Sequence, residues 1–395
     1  MSKKDDPQKP KFPPALLQAD KKARRKYFDD LVIRHPLLIE SFEEVSTEIQ
    51  QADPGSLIFV FGPSGAGKST LAQKVKEQVT ADVLAELHED RGRYPIVMTE
   101  LWGQDSGNYN LRDLYRGLLD SMREPCIDSK VIIEPGDNDG NWIEIMRKHR
   151  KAGPLELRHA TLKAIEFRRP GALLIDEAQH LATVSSGRKI HDQLDAIKSL
   201  ANKAQVPIVL FGTYDLLPFR NLSGQLSRRS SDIHLRRYNN SVPAELKAFI
   251  NVIGTFQQHL PLKQEPDLVA NWEYLYERSI GCVGVLKRWL LKAYSRALKE
   301  DNPTLEMKHL ERTALSIAQC DKMATEAVEG EGRIKETKLA RANLRMRLNL
   351  KAVKERHSQR AELPTEPPAK KKRGRPFKRK PSRDPVGNTD HEKTS

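Results

Sequence analysis

The residues best suited to chemistry form a phosphate-binding pattern in the first fifth of the chain. The stretch FVFGPSGAGKST, residues 59–70, satisfies G-x-x-x-x-G-K-[ST] between an apolar run and a helical pattern. Glycines let backbone N–H groups approach phosphate oxygens at the positive end of a helix. Lys68 would reach the β- and γ-phosphates of a nucleotide, and the Ser69 hydroxyl would coordinate Mg²⁺. We expect the phosphates to be surrounded by Gly62, Pro63, Ser64, Gly65, Ala66, Gly67, Lys68, Ser69 and Thr70.

An acidic pair about a hundred residues later could complete a hydrolysis site. The run ALLIDEAQHL ends its apolar part in Asp176 and Glu177. If this run is a buried strand, both carboxylates lie at the carboxyl edge of a sheet, where ligands of such sheets bind. Asp176 would hold Mg²⁺ through water, and Glu177 would polarise the water that attacks a γ-phosphate. Alone, an apolar strand ending in Asp-Glu could merely open a helix, but together with a phosphate loop it indicates hydrolysis.

Three further residues could act on the γ-phosphate. Thr213 ends the apolar run PIVLFGTYDL, where its hydroxyl could sense the γ-phosphate or orient the water, although threonine also commonly opens a turn. Arg228 and Arg229 precede another short strand. An arginine supplied across a subunit boundary can stabilise the charge that develops during phosphoryl transfer. An isolated arginine pair is also typical of a surface, so both interpretations stay open.

The elements that must position these residues follow from the alternation along the chain. LIFVFG, YPIVMTEL, ALLIDE and PIVLFG are typical of buried strands, and helical patterns lie between them. This alternation predicts an α/β fold in which a parallel sheet is covered by helices on both faces. Two helical pieces broken near His35-Pro36 precede the sheet. From Pro243 to about Ala327 the pattern is all-helical, which predicts a helical lid.

Composition narrows the class of partner. The formal net charge of +14 and a sequence pI near 9.5 indicate a polyanion such as nucleic acid, or an anionic membrane surface. No apolar run approaches the roughly 20 residues that span a bilayer, and the N-terminus has no signal-peptide core, so we expect a cytoplasmic protein without a membrane partner. Three cysteines without metal spacing, Cys126, Cys282 and Cys320, are expected to be buried small hydrophobes in a reducing compartment.

The order of these parts resembles the AAA+ ATPases. The likeness narrows in the lid, where AFINVIGTFQQHLPL and ERSIGCVGVLKRWLLKAYSRAL are similar to the TnsC/TniB group of ATP-dependent regulators of DNA transposition. The segments RHPLLIESFEEV, LLIDEAQHL and SGQLSRRSSDIHLRRY are similar to that group too, so the resemblance covers roughly residues 30–320. Its most specific piece is SIGCVGVLKRWLL, because a generic helical lid has no need of that Gly-x-x-Gly turn.

The resemblance implies roles for the residues named above. ATP and Mg²⁺ would bind at residues 62–70, with Asp176 and Glu177 as the acidic pair, Thr213 as the sensor, and Arg228 or Arg229 as the finger that acts in a neighbouring subunit. Lys287, three residues after Gly284, stands where many AAA+ proteins place a sensor arginine.

The resemblance and the composition together divide the chain into five predicted segments. A basic helical extension covers residues 1–45, an AAA+ P-loop ATPase core 46–240, and the helical lid 241–328. A basic helical segment follows at 329–362. The remainder, 363–395, has too many Pro, Lys and Arg residues to fold alone, so we expect a disordered basic tail.

Two basic clusters could contact DNA. The cluster within the core consists of Arg147, Lys148, Arg150 and Lys151, and it could equally be a solvated helix end. In the tail, nine of the fourteen residues from 370 to 383 are Lys or Arg, and Arg373, Gly374, Arg375 and Pro376 match the AT-hook core that enters the minor groove. The tail could instead be a nonspecific basic tail, or it could dock on a transposase, as the resemblance implies.

The resemblance predicts a regulator that oligomerises as rings or filaments on double-stranded DNA, recruits and activates a transposase, and is disassembled by ATP hydrolysis. It also implies a target-selector partner, such as a CRISPR-associated complex, and a bacterial nucleoid location. Two alternatives stay open. One is a helicase loader or replication-initiator type of AAA+ ATPase, and the other is an architectural DNA-binding protein in which ATP only sets the conformation.

Overall fold

The protein was analysed as a computed structural model that describes residues 11–103, 110–131, 152–182, 187–221, 230–335 and 338–350. Contacts divide the chain into two units, Met1–Lys335 and Glu336–Ser395. The first unit contains a sheet of five strands, β1 Leu57–Phe61, β2 Ile96–Glu100, β3 Ala172–Asp176, β4 Ile208–Gly212 and β5 Ser230–His234. In the second unit, the described residues include one helix, α14 (Lys338–Arg347).

The helices of the first unit surround this sheet and continue beyond it. Before and around the sheet lie α1 Lys21–Asp30, α2 Pro36–Gln51, α3 Lys68–Asp82, α4 Leu84–Glu89, α5 Leu111–Ser121, α6 Pro154–Arg168, α7 Gly187–Ala204 and α8 Leu217–Asn221. After the sheet come α9 Pro243–Gln258, α10 Trp272–Ser279, α11 Val283–Lys299, α12 Met307–Glu311 and α13 Ile317–Ile334. The expected strands, the break near His35 and the all-helical region after Pro243 are therefore present.

The sheet is parallel and has the strand order β2-β3-β4-β1-β5. Every residue of β1, β3 and β4 is buried, which is expected for central strands covered on both faces. Alternate residues of β1 enter different cores. Phe59 and Phe61 pack with the core formed by α5, α6 and α7, whereas Ile58 and Val60 pack with α2 and α3. The predicted fold class, a parallel sheet between helical layers with a helical lid, is confirmed.

The lid has a core of its own, and the N-terminal helix α1 belongs to it. Phe28 of α1 is fully buried, with its ring centroid 5.8 Å from those of Phe256 and Tyr294. Helix α2 joins the two cores, because Leu37 packs with the lid and Val45 packs with the sheet. Helix α1 of the N-terminal extension is thus a structural part of the lid. It contacts lid residues that lie more than 200 positions later in the chain.

The basic segment predicted after residue 328 contains two helices in its described part. Helix α13 ends at Ile334, where Lys335 takes an extended conformation, and α14 begins at Lys338.

Cys282 and Cys320 are buried as expected, but Cys126 is exposed, because it lies in a surface turn with φ of 50°. Among the described residues, no helix is both long and apolar enough to cross a membrane.

Candidate nucleotide site

Three strand ends bring the predicted catalytic residues to one edge of the sheet. Strand β4 lies between β1 and β3, with Phe61 beside Gly212 and Ile175 beside Leu210. Because these strands are parallel, the loop after β1, the acidic pair after β3 and Thr213 after β4 leave the sheet at the same side. The structure therefore gathers parts that are separated by about 150 residues in the chain.

The phosphate loop between β1 and α3 depends on its glycines. Gly65 and Gly67 have φ of 77° and 109°, backbone angles that residues with a side chain rarely adopt. Gly67 directly precedes α3. A Cβ atom on Gly62 would overlap the carbonyl oxygen of Leu235, just after β5. Helix α3 starts at Lys68, so its first backbone N–H groups and its positive end are directed into the loop.

Lys68 lies beneath this loop. Its side chain is 7% exposed, and Nζ donates hydrogen bonds to the main-chain oxygens of Gly62 and Pro63, each at 2.9 Å. Burial lowers the pKa of this ammonium, and the nearby carboxylates of Glu177 and Asp176 offset part of that effect. The Lys68 side chain is thus held by two main-chain carbonyls of the loop, near the acidic pair.

The acidic pair differs in burial and in backbone conformation. Asp176 is 4% exposed, and its Oδ1 accepts a hydrogen bond of 2.9 Å from the N–H of Glu177. Glu177 has φ of 53°, in the left-handed region that residues with a side chain rarely adopt. Such conformations persist where surrounding contacts hold them, and they cluster at functional sites.

Gln179 connects the acidic pair to the end of β4, and the sequence analysis did not identify it. Its Nε2 donates to the Glu177 carboxylate, and its Oε1 accepts from the N–H of Thr213 at 3.2 Å. The Thr213 hydroxyl donates to Oδ2 of Asp215, also at 3.2 Å. The only sequence signal for Gln179 is its position two residues after Glu177, so its role needed the tertiary structure.

The Gly-x-x-Gly turn at the start of α11 is seated on the phosphate loop. The N–H of Gly284 donates to the carbonyl oxygen of Gly65 at 2.9 Å, and a Cβ on Gly65 would lie 2.6 Å from Cγ2 of Val285. Gly281 has φ of 76°, and its carbonyl oxygen accepts from the N–H of Tyr238 at 3.0 Å. Only glycines allow this close approach of two backbones, so the lid contacts the loop directly.

A small cavity of ≈ 60 Å³ lies beside the loop. Its walls come from residues 31–38, from Ala66, Gly67 and Thr70, and from the first turn of α11. His35 in this wall is 5% exposed, and its Nδ1 lies 3.1 Å from the hydroxyl of Tyr238. Burial lowers the pKa of His35 to about 4, so the imidazole is neutral at physiological pH.

Lys287 also lines this cavity, but its ammonium is engaged elsewhere. Nζ donates to the main-chain oxygen of Asp29, at the end of α1, at a distance of 2.6 Å. Burial lowers the pKa of Lys287, while Asp29 and Asp30 act in the opposite direction. The side chain therefore joins the lid to α1 in this structure, beside the phosphate loop.

Helix α13 covers the other side of the loop. Gly330 lies so close to the ring of Tyr214, the residue after Thr213, that any Cβ there would overlap it. Glu331 forms an ion pair with Arg237 at 2.8 Å, and both side chains are more than four-fifths buried. Residues beyond 328, which the sequence pattern assigned to a separate basic segment, thus contact Tyr214, two residues after the end of β4.

Several predicted residues cannot be located. Outside the described residues lie the two candidate finger arginines, Arg228 and Arg229, and the residues predicted to contact DNA, which are Arg147, Lys148, Arg150, Lys151, Arg373, Gly374, Arg375 and Pro376. In the part of the chain that is described, no group of three or more His, Cys, Asp or Glu residues could hold a metal ion by itself. A Mg²⁺ ion would need phosphate and hydroxyl oxygens in addition to Asp176.

Comparison with known proteins agrees with this geometry. Residues 51–219 match the family model described as an AAA domain. The ORC2 protein of Aeropyrum pernix, solved in ADPNP–ADP complexes, is 15% identical with a TM-score of 0.46, over 74% of this chain and 72% of that one. The A. pernix ORC1 protein in complex with DNA is 16% identical with a TM-score of 0.47, over 76% and 68%.

A third structure and the curated proteins complete the comparison. Domain III of the Thermotoga maritima replication initiation protein DnaA is 13% identical, with a TM-score of 0.38, over 76% of this chain and 97% of that one. A search of curated proteins gave no match to this chain. The matched residues contain the phosphate loop, the acidic pair and Thr213 on a parallel sheet. Residues 51–219 are therefore an ATPase domain of the AAA type, built on an AAA+ P-loop fold.

Proposed function

We propose that this protein is an ATP-dependent regulator of DNA transposition. It assembles on double-stranded target DNA with ATP bound, recruits and activates a transposase, and is disassembled by ATP hydrolysis. One observation carries the proposal, the hydrogen bond between Gly284 and Gly65. It belongs to SIGCVGVLKRWLL, the segment most specific to the resemblance with the TnsC/TniB group, and it joins that segment directly to the phosphate loop.

The residues present fit ATP with Mg²⁺. Lys68 exchanges its bonds to the loop carbonyls for bonds to the β- and γ-phosphates, whose negative charge offsets the cost of burying the ammonium. The exposed Ser69 hydroxyl and the buried Asp176 carboxylate offer the hard oxygen ligands that Mg²⁺ prefers. They would hold Mg²⁺, which neutralises phosphate charge when bound.

Hydrolysis then depends on Glu177 and its partner Gln179. Glu177 takes a proton from the attacking water, which requires a free carboxylate oxygen. Gln179 bonds both that carboxylate and the N–H that begins the Thr213 turn, so the base and the sensor shift together. Arg228 or Arg229 of a neighbouring subunit supplies the finger, and Lys287 acts on the nucleotide after leaving Asp29.

Assembly on DNA follows from the charge of the whole chain and from the lid. A net charge of +14 favours a duplex as the polyanionic partner, and the clusters at 147–151 and 373–376 contribute phosphate and minor-groove contacts. Bound ATP alters the loop that carries the lid turn, which sets the geometry for rings or filaments. The transposase, a target selector such as a CRISPR-associated complex, and a nucleoid location complete the proposal.

Negative-stain imaging of the full chain with duplex DNA and a non-hydrolysable ATP analogue tests the assembly. Rings or filaments are expected with both ligands present. The Lys68→Ala variant is the matched control, because it removes the phosphate contact and should leave the protein unassembled under the same conditions. Parent protein that stays monomeric with DNA and the analogue would refute assembly.

Capture experiments identify the partner. The tagged full chain, loaded with ATP analogue and duplex DNA, should retain a transposase. Capture of a hexameric helicase in place of a transposase would assign the protein to the helicase loaders or replication initiators. ATPase activity that does not respond to DNA would favour an architectural role, in which ATP only sets the conformation.

A further inference from the structure

A basic groove runs between α1 and α11, on the lid side of the first unit. It has a volume of ≈ 550 Å³ and is lined by six cationic side chains, Lys21, Lys22, Arg25, Arg288, Lys292 and Lys299. Its floor contains Leu291, Ser295 and Leu298. No motif in the sequence predicts this groove, because its two walls come from segments about 265 residues apart.

The groove forms because each of two packed helices carries a stripe of cations on the side that faces it. On α11, Arg288, Lys292 and Lys299 are separated by four and seven residues, which places them on the same face of a helix. On α1, Lys22 and Arg25 are three residues apart. The two helices contact each other, with Phe28 buried beside Tyr294 beneath the charged stripes. Both stripes therefore line one groove.

Most of the groove cations have no acidic partner among the described residues. Lys21 pairs with Asp301 at 2.6 Å. Within the described ranges, no carboxylate lies in ion-pair distance of the other five groove cations. In contrast, Lys74, Lys163 and Lys198 each pair with a carboxylate three residues away on their own helix. Five uncompensated positive charges repel one another, and a polyanion would remove that repulsion.

We propose that the basic groove binds the sugar–phosphate backbone of duplex DNA. The stripe from Arg288 to Lys299 extends about 16 Å along its helix, while one DNA strand presents a phosphate about every 3.4 Å of axis. Several cations can therefore contact phosphates at once. The walls offer lysine and arginine charges above recessed leucines and no amide side chain, so binding is independent of sequence.

The geometry favours DNA over two other anionic surfaces. A membrane surface would call for protruding apolar side chains, but Leu298 is 4% exposed at the bottom of the groove. An acidic surface on a second copy of the chain offers carboxylates in irregular positions, whereas the α11 stripe is straight and regular. The inference rests on the proposed DNA partner and adds a contact surface separate from the clusters at 147–151 and 373–376.

The position of the groove also connects DNA to the nucleotide. Helix α11 contacts the phosphate loop at Gly284 and begins its basic stripe one turn later at Arg288. A shift of this helix when ATP enters the loop moves the groove walls as a rigid element. DNA seated in the groove and ATP in the loop therefore act on the same helix, and each ligand should tighten the binding of the other.

The test compares two double variants of the full chain that lose the same charge. The groove variant is Arg288→Ala/Lys292→Ala, and the control is Lys203→Ala/Lys247→Ala, whose exposed lysines lie on α7 and α9. Binding of a labelled duplex is measured by fluorescence anisotropy with an ATP analogue over a range of salt concentrations. Two lost phosphate contacts should reduce the slope of log K against log[salt] by about 2 and the affinity at 0.1 M salt by about 50-fold.

The outcomes separate this inference from the proposed function. A parent protein that does not bind duplex DNA would overturn both. A parent that binds DNA, with a groove variant indistinguishable from it, would overturn the groove alone. A groove variant that keeps DNA affinity but no longer self-associates would assign the groove to an acidic surface of a second copy.

Lysine acetylation of the unaltered protein gives a second measurement that needs no substitution. Duplex DNA should protect Lys22, Lys292 and Lys299 from an acetylating reagent, as read by mass spectrometry, and should leave Lys247 reactive. Equal reactivity of these four lysines with and without DNA would contradict the proposal, even if the groove variant folded poorly.

Discussion

At the scale of single residues, Glu177 is held in place through both its backbone N–H and its carboxylate. Its N–H donates to Asp176, its carboxylate accepts from Gln179, and its φ of 53° lies in the left-handed region. A residue with a side chain in that region costs on the order of 1–3 kcal/mol, so the site holds it there against its intrinsic preference. A carboxylate held in this way suits the proposed role of Glu177 in activating water.

The Glu177→Gln variant should bind ATP normally and lose hydrolysis. The amide cannot accept the proton of the attacking water, so phosphate release should fall by a factor on the order of 100 or more. Phosphate release and the binding of a fluorescent ATP analogue measure the two properties separately. Glu166→Gln, on the exposed face of α6, is the control and should match the parent. Undiminished turnover would remove Glu177 from its role.

His35 predicts a pH dependence of stability. Its pKa is about 4 in the folded protein against 6.5 for an unperturbed histidine, because burial disfavours the charged ring. Above pH 6.5 both states are neutral and the group has no effect. Below it the unfolded state binds the proton first, so the unfolding free energy falls by about 2 kcal/mol between pH 7 and pH 5.

The His35→Asn variant isolates this contribution. In the parent protein, Nδ1 of His35 accepts a hydrogen bond from the N–H of Leu38 at 3.4 Å. The side-chain oxygen of asparagine can accept the same bond, and asparagine does not titrate. Urea unfolding at both pH values should show that the parent loses about 2 kcal/mol more than the variant. An equal loss in the two proteins would mean that His35 is not buried as described.

At the scale of elements, glycines decide where helices meet the nucleotide loop and the sensor. Gly284 brings α11 to the loop, and Gly330 brings α13 to Tyr214. Glycine weakens a helix by roughly 1 kcal/mol relative to alanine. Both helices contain glycine at these contacts because a Cβ would separate the surfaces, so each contact can be tested by one methyl group.

Gly284→Ala should loosen the lid from the loop. The added Cβ would lie 2.6 Å from the carbonyl oxygen of Gly65, so one backbone must move, and overpacking of this kind typically costs about 1–3 kcal/mol. Nucleotide affinity should fall with the displaced loop, as measured by calorimetry. Gly254→Ala, in helix α9 of the same lid, is the control, since its Cβ would meet only Val269 at 3.6 Å. Equal affinities in the two variants would argue against the contact.

Gly330→Ala and Gly332→Ala form a matched pair within α13. A Cβ at position 330 would overlap the Tyr214 ring, whereas a Cβ at position 332 would meet nothing within 4 Å. The first change should lower the thermal unfolding temperature, and the second should leave it unchanged or raise it, because alanine favours helix. Similar shifts for both variants would show that α13 does not pack on Tyr214.

At the scale of the whole molecule, positive charge is in excess over negative charge. The chain has 67 Lys and Arg residues against 53 Asp and Glu, and the basic groove concentrates six cations on the lid. Phosphate contacts from separate surfaces add in the salt dependence of DNA binding. The proposed DNA contacts of the groove lie on α1 and on α11, and α11 also contacts the phosphate loop.

Removal of Mg²⁺ should weaken the effect of ATP on the whole protein. With Mg²⁺, ATP at about 100 times its Kd should stabilise the folded state by about 2.7 kcal/mol. Thermal unfolding with ATP and EDTA should show a smaller increase, because Ser69 and Asp176 lose the ion that they share with the phosphates. Asp176→Asn should respond to ATP in the same way with or without EDTA. Full stabilisation of the parent in EDTA would contradict these ligands.

The local features of this protein could be predicted from the amino-acid sequence alone. Strands, helices, the phosphate loop and the acidic pair are encoded by short patterns, since burial periodicity and glycine positions act over a few residues. The α/β fold class and the ATPase chemistry followed from the order of those parts. The individual roles of the site residues stay predictions, including those of Lys68, Ser69, Asp176, Glu177, Thr213, Lys287 and the arginines.

Only the tertiary structure decided which distant parts touch. The link from Glu177 through Gln179 to Thr213, the inclusion of α1 in the lid core, the contact of Gly330 with Tyr214 and the basic groove all join residues far apart in the chain. Such contacts depend on the packing of whole elements, which a local pattern does not encode. The phosphate loop and the acidic pair could therefore be predicted from the sequence, whereas their contacts with the lid could not.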